Sequence, residues 1–363
     1  MHLRQVSINE TLGHLPSLEP LDTTDIAGHS SDLFICARGF EDRSVTIPDA
    51  LAAAGYRSAR AVVLTYPAPR DGADPNETNR PALVKALSAI TTSVVEAQLG
   101  QRPPLTHLTV APKSPPLRVV FDISSASNGW VVTVLHYLLH ADCDLTLTYT
   151  EADLYGPTRS EWKSNSKRWR EEDPSMTTEY GVGGVSWSHE HSGSQLEPLP
   201  DYVALFPGFN PGRARSALDL IDESLLVENK GSVLWILGLP HLPENQWRTD
   251  AMRHINRLTE DSHCALISTF QYKDTVRELT RVYDQQAGKS NVTVCPMGSK
   301  LQAVGSALFL VVHPDVRVVL SRPGGVNSRN YSKGCKALWQ LRLGRTTALR
   351  GELKKTGRIE LTT

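Results

Sequence analysis

Short apolar runs alternate with helical patterns along almost the whole chain. Leu33-Phe34-Ile35-Cys36 leads through Ala37-Arg38-Gly39-Phe40 into a helix predicted through Ala50-Leu51-Ala52. Ala61-Val62-Val63-Leu64-Thr65 comes next, followed by a Pro-rich loop and a helix predicted from Arg80 to Ala97. Arg118-Val119-Val120-Phe121-Asp122-Ile123 then meets Ser124-Ser125-Ala126-Ser127. A helix is predicted from Asn128 to His140, ahead of Leu145-Thr146-Leu147-Thr148-Tyr149. Such runs are apolar throughout, as expected of parallel strands buried on both faces. Strands alternating with helices predict a parallel sheet covered by helices.

The plan repeats downstream. Val203-Ala204-Leu205-Phe206 enters Pro207-Gly208-Phe209 and a helix near Arg213 to Ile221. Val233-Leu234-Trp235-Ile236-Leu237, Ala265-Leu266-Ile267 and Val292-Thr293-Val294-Cys295 each precede a further helix. Val316-Arg317-Val318-Val319-Leu320 closes the set. Gly39-Phe40 matches Gly208-Phe209, and the distances onward agree: Leu145 lies 106 positions after Gly39, Val316 lies 108 after Gly208. The fold class is therefore α/β, with two Rossmann-like parallel-sheet halves. Tandem duplication explains the repeat; two unrelated α/β halves are the alternative, because this alternation is common.

The expected domains are 1–155, a first Rossmann-like half, and 201–332, a second. Residues 156–200 form a polar, Trp-containing connecting segment, and 333–363 a basic, strand-rich tail. Trp162 and Trp169 are seven apart and so share one helix face. Gly181 to Trp187 reads as an added edge strand, with Ala337 to Leu341 as its counterpart.

Composition narrows the class. A chain of 363 residues is comfortable for two cores. With 40% hydrophobic and 21% charged residues it is not a wholly disordered chain. A net charge of -1 excludes the global basicity of a nucleic-acid coat but leaves room for local patches. The basic residues between Lys333 and Arg358 are such a patch, open to nucleic acid or to an acidic protein partner. No run approaches the roughly 18 apolar residues of a membrane helix. Met1-His2-Leu3-Arg4-Gln5 starts no signal-peptide apolar region. Cys36, Cys143, Cys264, Cys295 and Cys335 are scattered and never form CxxC, so they read as reduced thiols. A cytoplasmic location without membrane contact is expected, and the sequence leaves the cofactor unknown.

Ligands of open parallel sheets bind beyond the carboxyl ends of the strands, where helix N-termini favour anions. The strand-to-helix turns are therefore the candidate site. Gly298 lets backbone approach a ligand, Ser299 can cap its helix or donate to phosphate, and Lys300 adds mobile positive charge. This is no Walker A loop, because the GxxxxGK[ST] spacing is absent. Ser124, Ser125 and Ser127 hold the matching place in the first half, with Asp122 at the strand end as a partner for a ribose hydroxyl or a neighbouring loop. Arg38 and Arg43 flank Glu41 and Asp42; arginine forks suit phosphates, and internal pairing of Arg43 is the alternative. Tyr155 and Tyr331 (the latter within Asn330-Tyr331-Ser332-Lys333) are candidate lids. His189-Glu190-His191 alternates like a strand, but two imidazoles without a third ligand make a poor metal site. No metal site is expected.

A strand, then Met297-Gly298-Ser299-Lys300, then a helix resembles the glycine-Thr-Lys signature of CRISPR-associated Rossmann-fold (CARF) sensor domains. Two such units in one chain look like the SAVED arrangement. Ser299 stands for the usual Thr, Met297 for a Gly, and the first half has no matching Lys. The resemblance implies a cyclic oligonucleotide or other phosphorylated small molecule, held between two Rossmann-like units by Gly298, Ser299 and Lys300 with Ser124 and Ser125. It implies a nucleotide sensor of prokaryotic antiviral defence whose output lies in another protein. Two alternatives stand beside it. One is a nucleotide-dependent transferase, such as a two-domain glycosyltransferase, with Asp122, Glu151 and Asp153 as testable acids. The other is a scaffold subunit contacting partners through its Trp-rich segment and basic tail.

Overall fold

The computed structural model describes residues 2–22, 30–67, 74–98, 116–171, 178–226, 232–328, 331–356 and 359–362. Its elements run β1 (His2–Gln5), α1 (Ile8–His14), β2 (Glu19–Pro20), β3 (Ser30–Ala37), α2 (Arg43–Ala53), β4 (Arg57–Thr65), α3 (Arg80–Ile90), β5 (Val94–Gln98), β6 (Leu117–Asp122), α4 (Asn128–His140), β7 (Cys143–Glu151) and β8 (Leu154–Tyr155). They continue with α5 (Arg159–Glu171), β9 (Glu179–Trp187), β10 (Asp201–Phe206), α6 (Pro211–Ile221), β11 (Val233–Leu239), α7 (Trp247–Ile255), β12 (Cys264–Ser268), α8 (Tyr272–Gln286), β13 (Asn291–Pro296), α9 (Lys300–Leu310) and β14 (Arg317–Val326). The chain closes with β15 (Ser332–Lys333), β16 (Ala337–Arg345), α10 (Thr346–Leu353) and β17 (Ile359–Thr362).

These elements form two compact units, one of Met1–Tyr155 with Ser332–Thr363, the other of Gly156–Tyr331. The first unit's main sheet has the order β2-β16-β7-β6-β3-β4-β5. Its five strands from β7 to β5 are parallel, and β16 runs antiparallel beside β7. The second unit's sheet has the order β12-β11-β10-β13-β14-β9. Its first five strands are parallel, and β9 runs antiparallel beside β14. Taken in chain order, each parallel core reads 3-2-1-4-5 with an antiparallel strand outside the fifth. That is the Rossmann-like arrangement expected of both halves.

The edge strands expected at 181–187 and 337–341 take these matching places. The segment 156–200 contributes α5 and β9 to the second unit, and the tail contributes β16 and α10 to the first. Arg342, Arg345 and Lys355 of the tail pair with Glu19, Asp142 and Glu352. Arg358 and Asn330 lie outside the described residues.

Burial follows the apolar runs. Phe34 and Cys36 of β3 pack with Ile47 and Leu51 of α2 and Leu83 and Leu87 of α3. Val203 and Leu205 of β10 pack with Ala214 and Leu218 of α6 and Val319 of β14. Fully burying each such side chain contributes about 1.5–3 kcal/mol.

Two expectations change. The helix predicted from Arg80 to Ala97 ends at Ile90, and Val94–Gln98 is a parallel strand beside β4. Thr91-Thr92-Ser93 breaks the helix, and β-branched Val94 and Val95 favour the strand. His189-Glu190-His191 is a turn, not a strand. Among the described residues no cluster could hold a metal ion, and no helix is long and apolar enough to cross a membrane.

Candidate functional site

Each parallel core reverses direction between its first and fourth strands: β3 and β6 in the first unit, β10 and β13 in the second. A crevice at such a switch point is where this architecture takes ligands. The loops and helix starts that follow those strands carry Arg38, Arg43, Ser124, Ser125 and Ser127 in the first unit and Gly298, Ser299 and Lys300 in the second, with Asp122 at the end of β6.

In the first unit the loop after β3 meets the loop after β6. A Cβ placed on Gly39 would lie 2.7 Å from the Ser125 Cβ and 3.0 Å from its Oγ. Glycine is therefore required here for the two loops to close on one another. The Ser125 side chain is buried, and its hydroxyl has no hydrogen-bond partner among the described residues. A buried hydroxyl without a partner costs about 1–3 kcal/mol. Tyr66, after β4, ties the same loop down: its hydroxyl donates to the Ser125 carbonyl at 2.9 Å and accepts from the Ser127 amide at 2.7 Å. Ser127 is the N-cap of α4, its Oγ accepting from the Trp130 amide. Nothing in the sequence marked Tyr66, which stands alone beside a Pro-rich loop.

Behind this loop lies a buried polar network. Asp122 ends β6 and is only 2% exposed. Its Oδ1 accepts from the Ser124 hydroxyl and, at 3.0 Å, from the Ser124 amide. The Ser124 Oγ in turn accepts from the Thr150 amide at 2.8 Å. Burial raises the Asp122 pKa to about 7, against the lowering by Ser124 and by the charge of Arg43. The Asp122 carboxyl thus fastens β6 to the end of β7.

Arg43 opens α2 and is buried as well. Its Nε and Nη2 donate to Glu41 Oε1 at 2.9 and 2.7 Å, and its Nη1 reaches the Thr150 carbonyl at 3.4 Å. Burial lowers the Arg43 pKa, but the charge of Glu41, the interactions with Tyr149 and Tyr155 and the hydrogen bonds to Glu41 together outweigh it, and the guanidinium is held firmly protonated. The Ser332 hydroxyl also donates to Glu41 Oε1, which ties the returning tail to this corner. Arg38, by contrast, keeps some exposure and pairs with Glu77 at 3.2 Å and Glu96 at 3.3 Å. Tyr155 hydrogen-bonds Tyr149 at 3.0 Å.

In the second unit, Gly208 follows β10 and stands against the loop after β13, where its added Cβ would lie 3.8 Å from the Met297 carbonyl. A Cβ on Gly298 would fall 2.2 Å from Gln302 Oε1. Gly298 therefore makes room for a capping box: Ser299 Oγ accepts from the Gln302 amide at 3.2 Å, and Gln302 Oε1 accepts from the Ser299 amide at 2.8 Å. The Ser299 hydroxyl also donates to the Thr269 carbonyl at 2.6 Å. Lys300 is the first residue of α9, with its charge at the positive end of the helix. Tyr331 reaches Glu179 at 3.4 Å.

The candidate residues thus separate by role. Asp122, Ser124 and Arg43 are spent on holding strand ends together, and Ser127 and Ser299 on capping helices. Ser125, packed against Gly39, retains a buried hydroxyl without a partner among the described residues.

No protein-family model matches the chain, and no curated protein does. Among solved structures, it is similar to a Type III CRISPR defence DNA nuclease activated by cyclic oligoadenylate, at 12% identity and a TM-score of 0.46, over 80% of this chain and 65% of that one. The chain thus spans about two thirds of that nuclease's length. It is also similar to the cytoplasmic domain of a prokaryotic cation chloride cotransporter, at 9% identity and a TM-score of 0.23, over 82% of this chain and 97% of that one. At these scores neither likeness bears on the chemistry.

Proposed function

We propose that the protein binds a phosphorylated nucleotide at the strand-end crevices and serves as a sensor in prokaryotic antiviral defence, handing its signal to another protein. A cyclic oligonucleotide is the ligand implied by the resemblance of Met297-Gly298-Ser299-Lys300 to the CARF signature. The observation that carries the binding reading is the unused Ser125 hydroxyl, packed against Gly39 at the switch point of the first unit. A ligand oxygen inserted between the Gly39 and Ser125 loops as they part would satisfy it. In the second unit Lys300 supplies positive charge at the N-terminus of α9.

Cyclic oligoadenylates, ATP and AMP are tested for a shift in the melting temperature of the full chain. At least one is expected to raise it. Ser125→Ala is expected to leave the unliganded melting temperature unchanged or slightly higher, because an unpartnered hydroxyl is removed. The same variant, and Lys300→Ala, are expected to weaken nucleotide binding at least tenfold in calorimetry. Absence of any shift across the panel, or full-strength binding by both variants, contradicts the reading.

A further inference from the structure

The carboxyl end of the second unit's sheet also presents an aromatic pair. The imidazole of His241, after β11, stacks on the ring of Phe270, after β12, with centroids 4.1 Å apart and planes at 29°. We infer that this pair is the platform on which the nucleotide's base stacks, its phosphates lying toward Lys300. The inference rests on the nucleotide-binding reading and names the place of the base.

The pair stands on the ligand side of the sheet. β12, β11, β10 and β13 are parallel neighbours. The segments that follow β11, β12 and β13 therefore leave the same edge, and they carry His241, Phe270 and Lys300 in turn. Hydrogen bonds lock these segments together. The Thr269 amide donates to the Leu239 carbonyl at 3.0 Å. The Thr269 carbonyl accepts from the Ser299 hydroxyl at 2.6 Å. Phe270 and Lys300 each come one residue after a member of that second bond, and His241 comes two after Leu239.

Gly238 permits the junction. A Cβ there would lie 2.5 Å from Thr269 Cγ2 and 3.6 Å from Gln302 Nε2. The Gly238 carbonyl accepts from the Thr249 hydroxyl at 2.8 Å, which anchors the β11 end to α7. Ser268 Oγ accepts from the amides of Phe270 and Gln271, both at 3.0 Å, and so fixes the turn that carries the ring. A stacking surface held by rigid elements in this way is preorganised.

Exposure gives the orientation of use. His241 is exposed and Phe270 half-buried, so the imidazole is the outer ring. Leu239, two residues earlier, is 42% exposed. The centroid separation is shorter than the roughly 4.5–7 Å usual for aromatic pairs, so the rings overlap broadly. Phe270 thus already orders the His241 ring, and a base that extends the stack loses little affinity to side-chain ordering. Every base has a π-face, so such a platform accepts a base without reading its edge. A flat ring surface and a lysine on interlocked loops match the two chemistries of a nucleotide, base and phosphate.

Ethenoadenosine monophosphate, a fluorescent nucleotide whose emission is quenched when its base stacks, serves as the probe with the full chain. Emission is expected to fall on binding. His241→Ala and Phe270→Leu, the latter keeping apolar bulk without a π-face, are each expected to lower affinity at least threefold and to weaken the quench. His241→Trp enlarges the platform at an exposed position and is expected to raise affinity severalfold, a gain that a merely structural role would not produce. Lys300→Ala is expected to lower affinity while leaving the quench at saturation intact. Calorimetric binding of the probe that Lys300→Ala weakens, with emission unchanged and parental affinity in both His241 variants, would overturn the inference and leave the nucleotide reading standing. No binding of the probe or of any nucleotide in the panel would overturn both.

Discussion

Glu41→Ala is expected to cost the first unit about 3–5 kcal/mol, the usual loss when one partner of a buried ion pair is removed. Glu41 and Arg43 are both buried, at 6% and 4% exposure. Without Glu41, the guanidinium keeps, among the described residues, the Thr150 carbonyl at 3.4 Å and the Tyr155 ring with its centroid at 5.9 Å. The Ser332 hydroxyl also loses its acceptor, which loosens the tail that carries β16. Glu41→Gln retains an acceptor oxygen and is expected to lie between alanine and the parent. The double change Glu41→Leu with Arg43→Met is expected to recover much of the loss, because two apolar groups leave no charge stranded. Urea unfolding at pH 7 measures all three. A loss below about 1 kcal/mol in Glu41→Ala would show that water reaches Arg43.

Asp122→Asn is expected to stabilise the protein at high pH and not at low pH. The folded-state pKa of Asp122 is raised to about 7, from an ordinary 3.8. The folded chain therefore holds this proton more tightly than the unfolded chain does. Stability is highest below the ordinary value and falls as pH climbs toward 7, then stays level. A rise of about three units corresponds to about 4 kcal/mol of cost for the charged form. Asparagine avoids that cost and keeps Oδ1 as acceptor for Ser124, but its amide hydrogens require partners, at about 1–3 kcal/mol. The net gain expected at pH 8 is about 1–3 kcal/mol, vanishing or reversing near pH 4. Melting curves of both proteins from pH 4 to 8 test this. A difference independent of pH would mean that Asp122 titrates normally. Under the transferase alternative the same variant would instead abolish turnover.

The sheets were legible in the sequence because parallel strands buried on both faces must be apolar throughout, as at 33–36, 203–206 and 292–295. The edge strands were legible from their place after each repeat. The register of α3 and β5 was not, because one amphipathic stretch from Arg80 to Ala97 hides a three-residue break. Within the site, the caps at Ser127 and Ser299 follow from residue type. The pairing of Arg43 with Glu41 was one of two readings that the local sequence allows. Burial decides it, and burial depends on Thr150 and Ser332, more than 100 positions away.

Backbone amide exchange of the full chain, with and without the nucleotide giving the largest thermal shift, tests the central claim most directly. Slowed exchange is predicted in the loops at 38–43, 123–128, 207–210 and 296–300, the turns that leave the first and fourth strands of the two units. Protection confined to other segments, with those turns unchanged, would contradict it.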